Sequence, residues 1–212
     1  MIIAGLDESG KGDYFGPLVA AAVALDGQAI AYLDSLGLKD SKRHTPGRIK
    51  ELAGVIRKYP HSTVLISPKK YNQLYSRFRN MNLILAWAHA QALENLLGKT
   101  GIDLAILDRF SRAGEFERAL RKKGIKLEIM EEEKGEKYIP VAAASVLARA
   151  SFVAWMGRES EKLGIDLPLG SSSPKVKEVA CALVEKGGED VLSRYAKLHF
   201  KITVSLPCGP VL

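Results

Sequence analysis

The sequence predicts an α/β fold with antiparallel strands first and strand–helix alternation afterwards. Short apolar runs that end at glycine or proline indicate strands, and longer segments with apolar residues at helical spacing indicate helices. The chain has 212 residues, of which 47% are hydrophobic, which suits one ordinary globular domain. We therefore expect a single domain over residues 1–212 with a C-terminal tail at about 201–212.

Two apolar runs near the start predict a pair of neighbouring strands. The first, "IIAGLD", covers 2–7, and the second, "PLVAAAVAL", covers 17–25. A glycine-rich turn lies between them, which favours antiparallel pairing.

The middle of the chain predicts a helix, a strand and a long helical region. A helix begins near Pro46, and the strand "STVLIS" at 62–67 stops at Pro68. The helical region runs roughly from Lys70 to Leu97. Apolar residues at helical spacing predict a buried face on it, made by Leu83, Ala86, Trp87, Ala90, Leu93 and Leu97.

The second half alternates strands and helices. The predicted strands are "DLAILD" at 103–108 and "KLEIM" at 126–130. The predicted helices are "GEFERALRKKG", "IPVAAASVLARASFVAWMGRESEKLG" and "SSSPKVKEVACALVEKGG". Ser173 is the expected N-cap of the last helix, and Gly187 is expected past its end.

Composition limits the class of partner and the compartment. The 31 Lys and Arg against 24 Asp and Glu favour a polyanion such as nucleic acid, although mild basicity alone is common. Cys181 and Cys208 have neither CxxC spacing nor nearby histidines, so we expect no disulfide framework and no zinc site. With no secretory signal and no apolar stretch long enough to span a bilayer, we expect a cytoplasmic protein without a membrane partner.

Carboxylates follow two of the predicted strands. Asp7 and Asp108 each end a strand, Glu8 is adjacent to Asp7, and the loop at 131–136 supplies further acids. If the two strands are neighbours, their carboxylates converge, and a cluster of this kind is stable only with cations such as Mg²⁺ or Mn²⁺. Each acid alone is equally explained as an ordinary turn or solvated loop residue.

Six motifs occur in an order that resembles a known family. They are "LDESGKGDYFGPLVAAAV", "LKDSK", "YNQLYSRFRNMNLILAWAHAQALENLL", "AILDRF", "VAAASVLARASF" and "YAKLHFK". Together they resemble the type 2 ribonuclease H family over nearly the whole chain, and ribonuclease HIII more than HII. The resemblance implies a ribonuclease H-like fold with a mixed central sheet flanked by helices. It also implies metal-dependent cleavage of RNA strands in RNA/DNA hybrids, with 3′-OH and 5′-phosphate products.

The resemblance also implies the catalytic residues. Four family acids hold two divalent ions, Mg²⁺ or Mn²⁺, and the first two match Asp7 and Glu8. The third matches Asp108 in "AILDRF". Glu136 takes the place of the fourth, with Glu133 as the reserve candidate, because the spacing to the following helix is one residue short of the commoner pattern.

The glycine–basic–glycine element of the family matches Gly10, Lys11 and Gly12. It resembles a reader of ribose 2′-OH groups, and only glycine lets main-chain atoms approach a sugar so closely. The "LKDSK" loop resembles a phosphate-contacting element, which makes Lys39 and Lys42 expected backbone contacts.

Two departures from the family pattern leave alternatives open. The stretch "GSSSPKVKE" lacks the tyrosine with which ribonuclease HII enzymes recognise an RNA-to-DNA junction, which favours HIII-like cleavage of ribonucleotide runs over incision at single ribonucleotides. Because the sequence starts directly at the first catalytic strand, we expect no N-terminal substrate-binding domain of the kind usual in HIII proteins. A non-catalytic hybrid-binding module is the other alternative, and we expect a monomer. His199 is equally a site residue or a structural one.

Overall fold

The computed structural model describes residues 1–38, 44–111 and 114–209. Lys39 and Lys42 therefore lie outside the described residues. The strands of the central sheet are β1 (Ile3–Ser9), β2 (Leu18–Leu25), β3 (His61–Ile66), β4 (Leu104–Asp108) and β5 (Glu128–Glu132).

The sheet is mixed and has the order β3-β2-β1-β4-β5. Strand β1 is antiparallel to β2 and parallel to β4, and β4 is parallel to β5. The predicted antiparallel pair at the start of the chain is therefore confirmed, and so is the α/β class with a mixed sheet.

The described residues also form helices between and after these strands. They are α1 (Gly27–Ser35), α2 (Pro46–Ile56), α3 (Pro68–Phe78), α4 (Met81–Leu97), α5 (Glu115–Lys122), α6 (Ile139–Leu163) and α7 (Pro174–Tyr195). Helix α1 is absent from the sequence prediction, although Asp26 caps its N-terminus.

One predicted helical region is divided in the structure. The region from Lys70 to Leu97 is two helices, because Arg79 adopts a left-handed conformation and the Asn80 side chain caps α4. The predicted helix end at Gly187 is confirmed, because the backbone of Gly187 and Gly188 is not helical and Gly188 has a φ of 63°. A second helical segment, which the sequence analysis missed, follows this kink and completes α7 at Tyr195. Ser173 caps this helix as predicted.

Contacts divide the chain into two compact units, each built from several segments. Unit 1 comprises Met1–Ser9, Val19–Val64 and Asn80–Ala150, and unit 2 comprises Gly10–Leu18, Leu65–Arg79 and Ser151–Leu212. The expectation of one catalytic domain with a tail stays a prediction.

In unit 1, the two faces of β1 meet different helices. Ala4 and Leu6 belong to a buried cluster that includes Ala90 and Leu93 of α4. Gly5 faces α6, where a Cβ would lie 1.9 Å from the carbonyl carbon of Pro140. Because successive strand residues point to opposite faces, α4 covers one side of β1 and α6 covers the other.

In unit 2, α3 and α7 are linked through one half-buried side-chain amide. Asn72 of α3 donates to the carbonyl oxygens of Ser193 and Ala196, at 3.2 and 2.9 Å, and its Oδ1 accepts from the amide of Leu198 at 3.0 Å. A side chain that makes three bonds to the same chain segment fixes the path of residues 193–198 against α3.

Cys181 and Cys208 form a disulfide in unit 2, with their Cα atoms 5.6 Å apart. The expectation that these cysteines stay unpaired is wrong. Spacing motifs could not reveal the pair, because Cys181 lies on α7 and the chain returns to it only after 27 further residues.

Helix α6 corrects the expectation that no segment is long and apolar enough to cross a membrane. It meets that test by length and hydropathy, with a mean hydropathy of 1.5 over its best window. However, 67% of that window is buried inside the protein, as in the core helix of a soluble protein.

The predicted buried face of α4 is only partly correct. Ala86, Ala90 and Leu93 are buried. Leu83 and Trp87 are exposed to solvent over 36% and 45% of their surface. Helical spacing shows which residues share a stripe, but it cannot show how wide a stripe the neighbouring elements cover.

Candidate active site

Two carboxylates meet at one edge of the sheet because their strands are parallel neighbours. Leu6 of β1 pairs with Leu107 of β4, so the next residues along the strands, Asp7 and Asp108, emerge side by side. The predicted convergence of these two strand ends is therefore confirmed.

Asp7 is buried among like charges, with 9% of the residue exposed. Burial is the main cause that raises its pKa to about 8, and the negative charges of Glu8 and Asp108 add to the effect. A hydrogen bond with Ser145 of α6 and one from the Glu8 amide, 2.8 Å from Oδ1, act in the opposite direction. A cation beside Asp7 would relieve this unfavourable environment.

Glu8 contacts a histidine of α4. Its Oε2 lies 3.0 Å from Nε2 of His89, a residue of α4 with no exposed surface. His89 is therefore a fully buried histidine that contacts a candidate catalytic residue.

Asp108 is fixed by the turn that carries Glu136. Its Oδ1 accepts a hydrogen bond from the amide of Gly135 at 2.7 Å. A Cβ on Gly135 would lie 3.1 Å from the Asp108 Cα, so the 3-10 turn Gly135–Lys137 approaches the end of β4 closely.

The two candidates for the fourth acid lie in different surroundings. Glu136 is half-buried and directly follows Gly135 in this turn. The Glu133 side chain is 61% exposed and lies 3.8 Å from the Arg109 guanidinium. These surroundings favour Glu136 over Glu133.

The chemistry of these acids fits a divalent cation that prefers oxygen ligands. Within residues 1–38, 44–111 and 114–209, no three His, Cys, Asp or Glu side chains form a closed metal-binding group. The fit is electrostatic: the charges of Glu8 and Asp108 both disfavour ionisation of buried Asp7, and bound Mg²⁺ or Mn²⁺ would reverse their effect. The ligand set of four acids stays a prediction.

A cleft of about 360 Å³ opens beside Glu8. It is lined by Glu8, Ser9, His44, Ile49, Ser145, Val146 and Arg149. Arg149 brings a permanent positive charge to a cleft that also contains the Glu8 carboxylate. A phosphate ester can contact an arginine directly and a carboxylate through a bound metal ion.

Comparison with known proteins supports one family. The family model described as Ribonuclease HII matches residues 4–203.

The chain belongs to the ribonuclease HII family.

Several similar proteins are named ribonuclease HIII. A "Ribonuclease HIII" of Protochlamydia amoebophila is 38% identical over 93% of this chain and 65% of its own length. The crystal structure of Bst-RNase HIII in complex with Mn²⁺ superposes with a TM-score of 0.88 at 32% identity, over 95% of this chain and 67% of that one. The chain thus spans about two thirds of the length of these relatives.

A shorter relative matches from end to end. The ribonuclease H2 from Pyrococcus horikoshii superposes with a TM-score of 0.83 at 26% identity, and 97% of each chain is covered. The predicted ribonuclease H-like fold and the membership in a family of nucleases are confirmed by these matches.

The glycine–basic–glycine element of this ribonuclease HII family member lies in unit 2, and its two glycines differ. Gly10 has a φ of 86°, and a Cβ there would lie 2.1 Å from the carbonyl oxygen of Pro17. The surrounding chain therefore requires glycine at this position. Gly12 is exposed, and a Cβ there would meet nothing within 4 Å. No internal contact requires glycine at Gly12.

His199 packs in an aromatic cluster in unit 2. Its ring lies 5.2 Å from that of Tyr71, 4.4 Å from Tyr75 and 4.5 Å from Phe200. Burial, together with the charge of Lys197, lowers the pKa of His199 to about 4. These surroundings favour the structural alternative for this residue.

Sequence reasoning missed four residues around the acids. They are His44, His89, Ser145 and Arg149. The sequence signal that could have found Ser145 and Arg149 is their spacing of four residues on α6, which places both on one helix face. No signal identified His89 as a partner of Glu8.

Proposed function

We propose that the protein is an endoribonuclease that cleaves the RNA strand of RNA/DNA hybrids with the help of divalent metal ions. The observation that carries the proposal is the convergence of Asp7, Glu8 and Asp108 at the shared edge of β1 and β4. The names of the relatives, ribonuclease HIII, and the Mn²⁺ in the Bst-RNase HIII structure support it.

In this proposal Asp7, Glu8, Asp108 and Glu136 hold two Mg²⁺ or Mn²⁺ ions. Such ions, when bound, activate a water for in-line attack on the phosphodiester and stabilise the leaving 3′-oxygen. The chain itself holds the carboxylates in place: Ser145 contacts Asp7, and the Gly135 amide contacts Asp108. The products carry 3′-OH and 5′-phosphate ends.

The substrate contacts we propose come from three parts of the chain. Arg149 would bind a phosphate in the cleft beside Glu8. Gly10, Lys11 and Gly12 would read the ribose 2′-OH, and the bare surface at Gly12 supports close approach of a sugar. Lys39 and Lys42 would contact the phosphate backbone. We further propose that the protein is a cytoplasmic monomer that acts on nucleic acid and does not bind a membrane.

The test is cleavage of a long RNA/DNA hybrid in Mg²⁺ or Mn²⁺ by the wild type and two charge-matched variants. Asp108→Asn removes a carboxylate from the site, and Glu128→Gln removes an exposed one at the other end of β5. We expect Asp108→Asn to lower kcat/KM by about 1,000-fold, as for the loss of several kcal/mol of transition-state stabilisation, and Glu128→Gln to change it little.

The substrates and metals decide between this proposal and its alternatives. Binding of the hybrid without cleavage in either metal would contradict it and favour a hybrid-binding module. Comparable rates on the long hybrid and on a duplex with a single ribonucleotide would contradict the preference for ribonucleotide runs. Activity that survives EDTA would contradict the metal mechanism.

A further inference from the structure

His89 is a polar side chain in an apolar place. It lies on α4 between buried alanines and has no exposed surface. Burial of an imidazole costs free energy unless its nitrogen atoms find partners. The polar contacts of His89 therefore indicate its role in the protein.

The polar contact of His89 is with Glu8. Nε2 lies 3.0 Å from the Glu8 Oε2, and Nδ1 has no hydrogen-bond partner among the described residues. When Glu8 is ionised its carboxylate only accepts, and in that state the N–H of Nε2 donates the hydrogen bond to Glu8. With Nδ1 unpaired, the ring does not tie α4 to another element through its second nitrogen.

Two aromatic rings hold the imidazole in orientation. Phe110 stacks on it with centroids 5.4 Å apart and an angle of 17°, and Phe116 meets it edge-on at 6.3 Å. Phe110 lies two residues after Asp108, the last residue of β4, so the segment that follows one candidate acid packs on the histidine that contacts another.

Backbone amides help to orient Asp7 and Asp108, with an added side-chain contact from Ser145 to Asp7, and the His89 side chain helps to orient Glu8. Asp7 accepts from the Glu8 amide, and Asp108 accepts from the Gly135 amide. Glutamate has a longer side chain and loses more rotamer freedom when it is fixed in one position. A rigid donor that contacts Glu8 lowers this cost before any ligand binds.

We propose that His89 is a positioning residue, which holds the Glu8 carboxylate in the orientation needed to bind a divalent ion. This inference rests on the proposed function, because it takes Glu8 as a metal ligand. Donors that orient metal-binding side chains typically change metal affinity by about 10–100-fold when they are removed.

Two nearly isosteric variants separate the donor from the packing. His89→Gln keeps an N–H donor at the distance of Nε2, and His89→Met fills similar space without a donor. Mn²⁺ binding is measured by electron paramagnetic resonance of the free ion, on the whole chain without nucleic acid, and circular dichroism checks the fold. We expect His89→Met to weaken Mn²⁺ binding by about 10–100-fold and His89→Gln to stay within a few-fold of the wild type.

Each outcome bears on the inference. Wild-type affinity in folded His89→Met would overturn it, and so would an equal loss in both folded variants, because the ring rather than the donor would then matter. A wild type that binds no Mn²⁺ would overturn it as well. Mn²⁺ binding without hybrid cleavage would contradict only the proposed activity, and the two variants would still decide the role of His89.

Discussion

Asp7 in unit 1 and Lys197 in unit 2 are both buried ionisable residues, but their neighbours differ in sign. Asp7 lies near Glu8 and Asp108, and burial with these like charges raises its pKa to about 8. Lys197 is fully buried, and burial lowers its pKa to about 7 while the opposite charge of Asp13 counteracts that shift.

The polar partners of Lys197 come from its own unit. Its Nζ donates to the Gly16 carbonyl oxygen at 2.5 Å, and its amide donates to the Tyr14 carbonyl oxygen at 2.9 Å. Lys197 therefore has a structural role, because it holds the segment 14–16 in place. Asp7 differs, because no positive charge is among the causes that shift its pKa. Burial of a charge does not by itself indicate function, and the sign of the neighbouring charges separates the two cases.

If the charges around Asp7 serve to bind metal ions, the largest loss of cleavage rate in this series is expected from replacing Glu136, the proposed fourth acid. We expect Glu136→Gln to lower kcat/KM on a long hybrid by about 100-fold, because a ligand is lost from the metal-binding site. Glu133→Gln removes the same charge from a mainly exposed side chain and should change the rate less than threefold or so. Equal rates for Glu136→Gln and the wild type would show that the site is completed by another residue.

An intermediate effect is expected from the two glycines of unit 2. Gly10→Ala should lower the free energy of unfolding by about 1–3 kcal/mol, because a φ of 86° and the Pro17 carbonyl both oppose a Cβ. Gly12→Ala should change it by less than about 0.5 kcal/mol but weaken hybrid binding. Urea unfolding and hybrid binding assays measure the two quantities, and unchanged binding by Gly12→Ala would contradict a role in substrate contact.

The smallest expected effect is on the free energy of unfolding, to which Lys197 contributes a pH dependence. Its folded pKa of about 7 lies below the ordinary 10.5, so the unfolded chain binds more protons between these values. The contribution of Lys197 to stability is therefore present above pH 10.5, is lost as the pH falls to about 7, and stays low below that.

Lys197→Met removes this contribution at similar side-chain volume. Urea unfolding at pH 7, 8 and 9 should show that the stability of the wild type relative to Lys197→Met increases with pH. A constant difference between the two proteins would mean that Lys197 keeps an ordinary pKa, and the comparison with Asp7 would then fail.

The sequence predicted the acidic edge because strand ends and chain order contain the necessary information. Asp7 and Asp108 each follow an apolar run, and parallel pairing of those runs suffices to bring them together. The contact between His89 and Glu8 could not be predicted, because helical spacing shows only that His89 is buried. The break at Arg79 was missed for a similar reason, since the apolar pattern continues on both sides of it.

Gly5 connects the packing of the sheet to the position of the acids. Its contact with Pro140 brings β1 and α6 together at a distance that no side chain would allow. From Gly5 to Asp7 the strand advances two residues, about 6.6 Å, and from Pro140 to Ser145 the helix advances five, about 7.5 Å. The two paths have similar lengths, and Ser145 lies within hydrogen-bonding reach of Asp7. A single inserted residue on either path would break this match, and spacing between these positions is therefore as much a part of the site as the acids themselves.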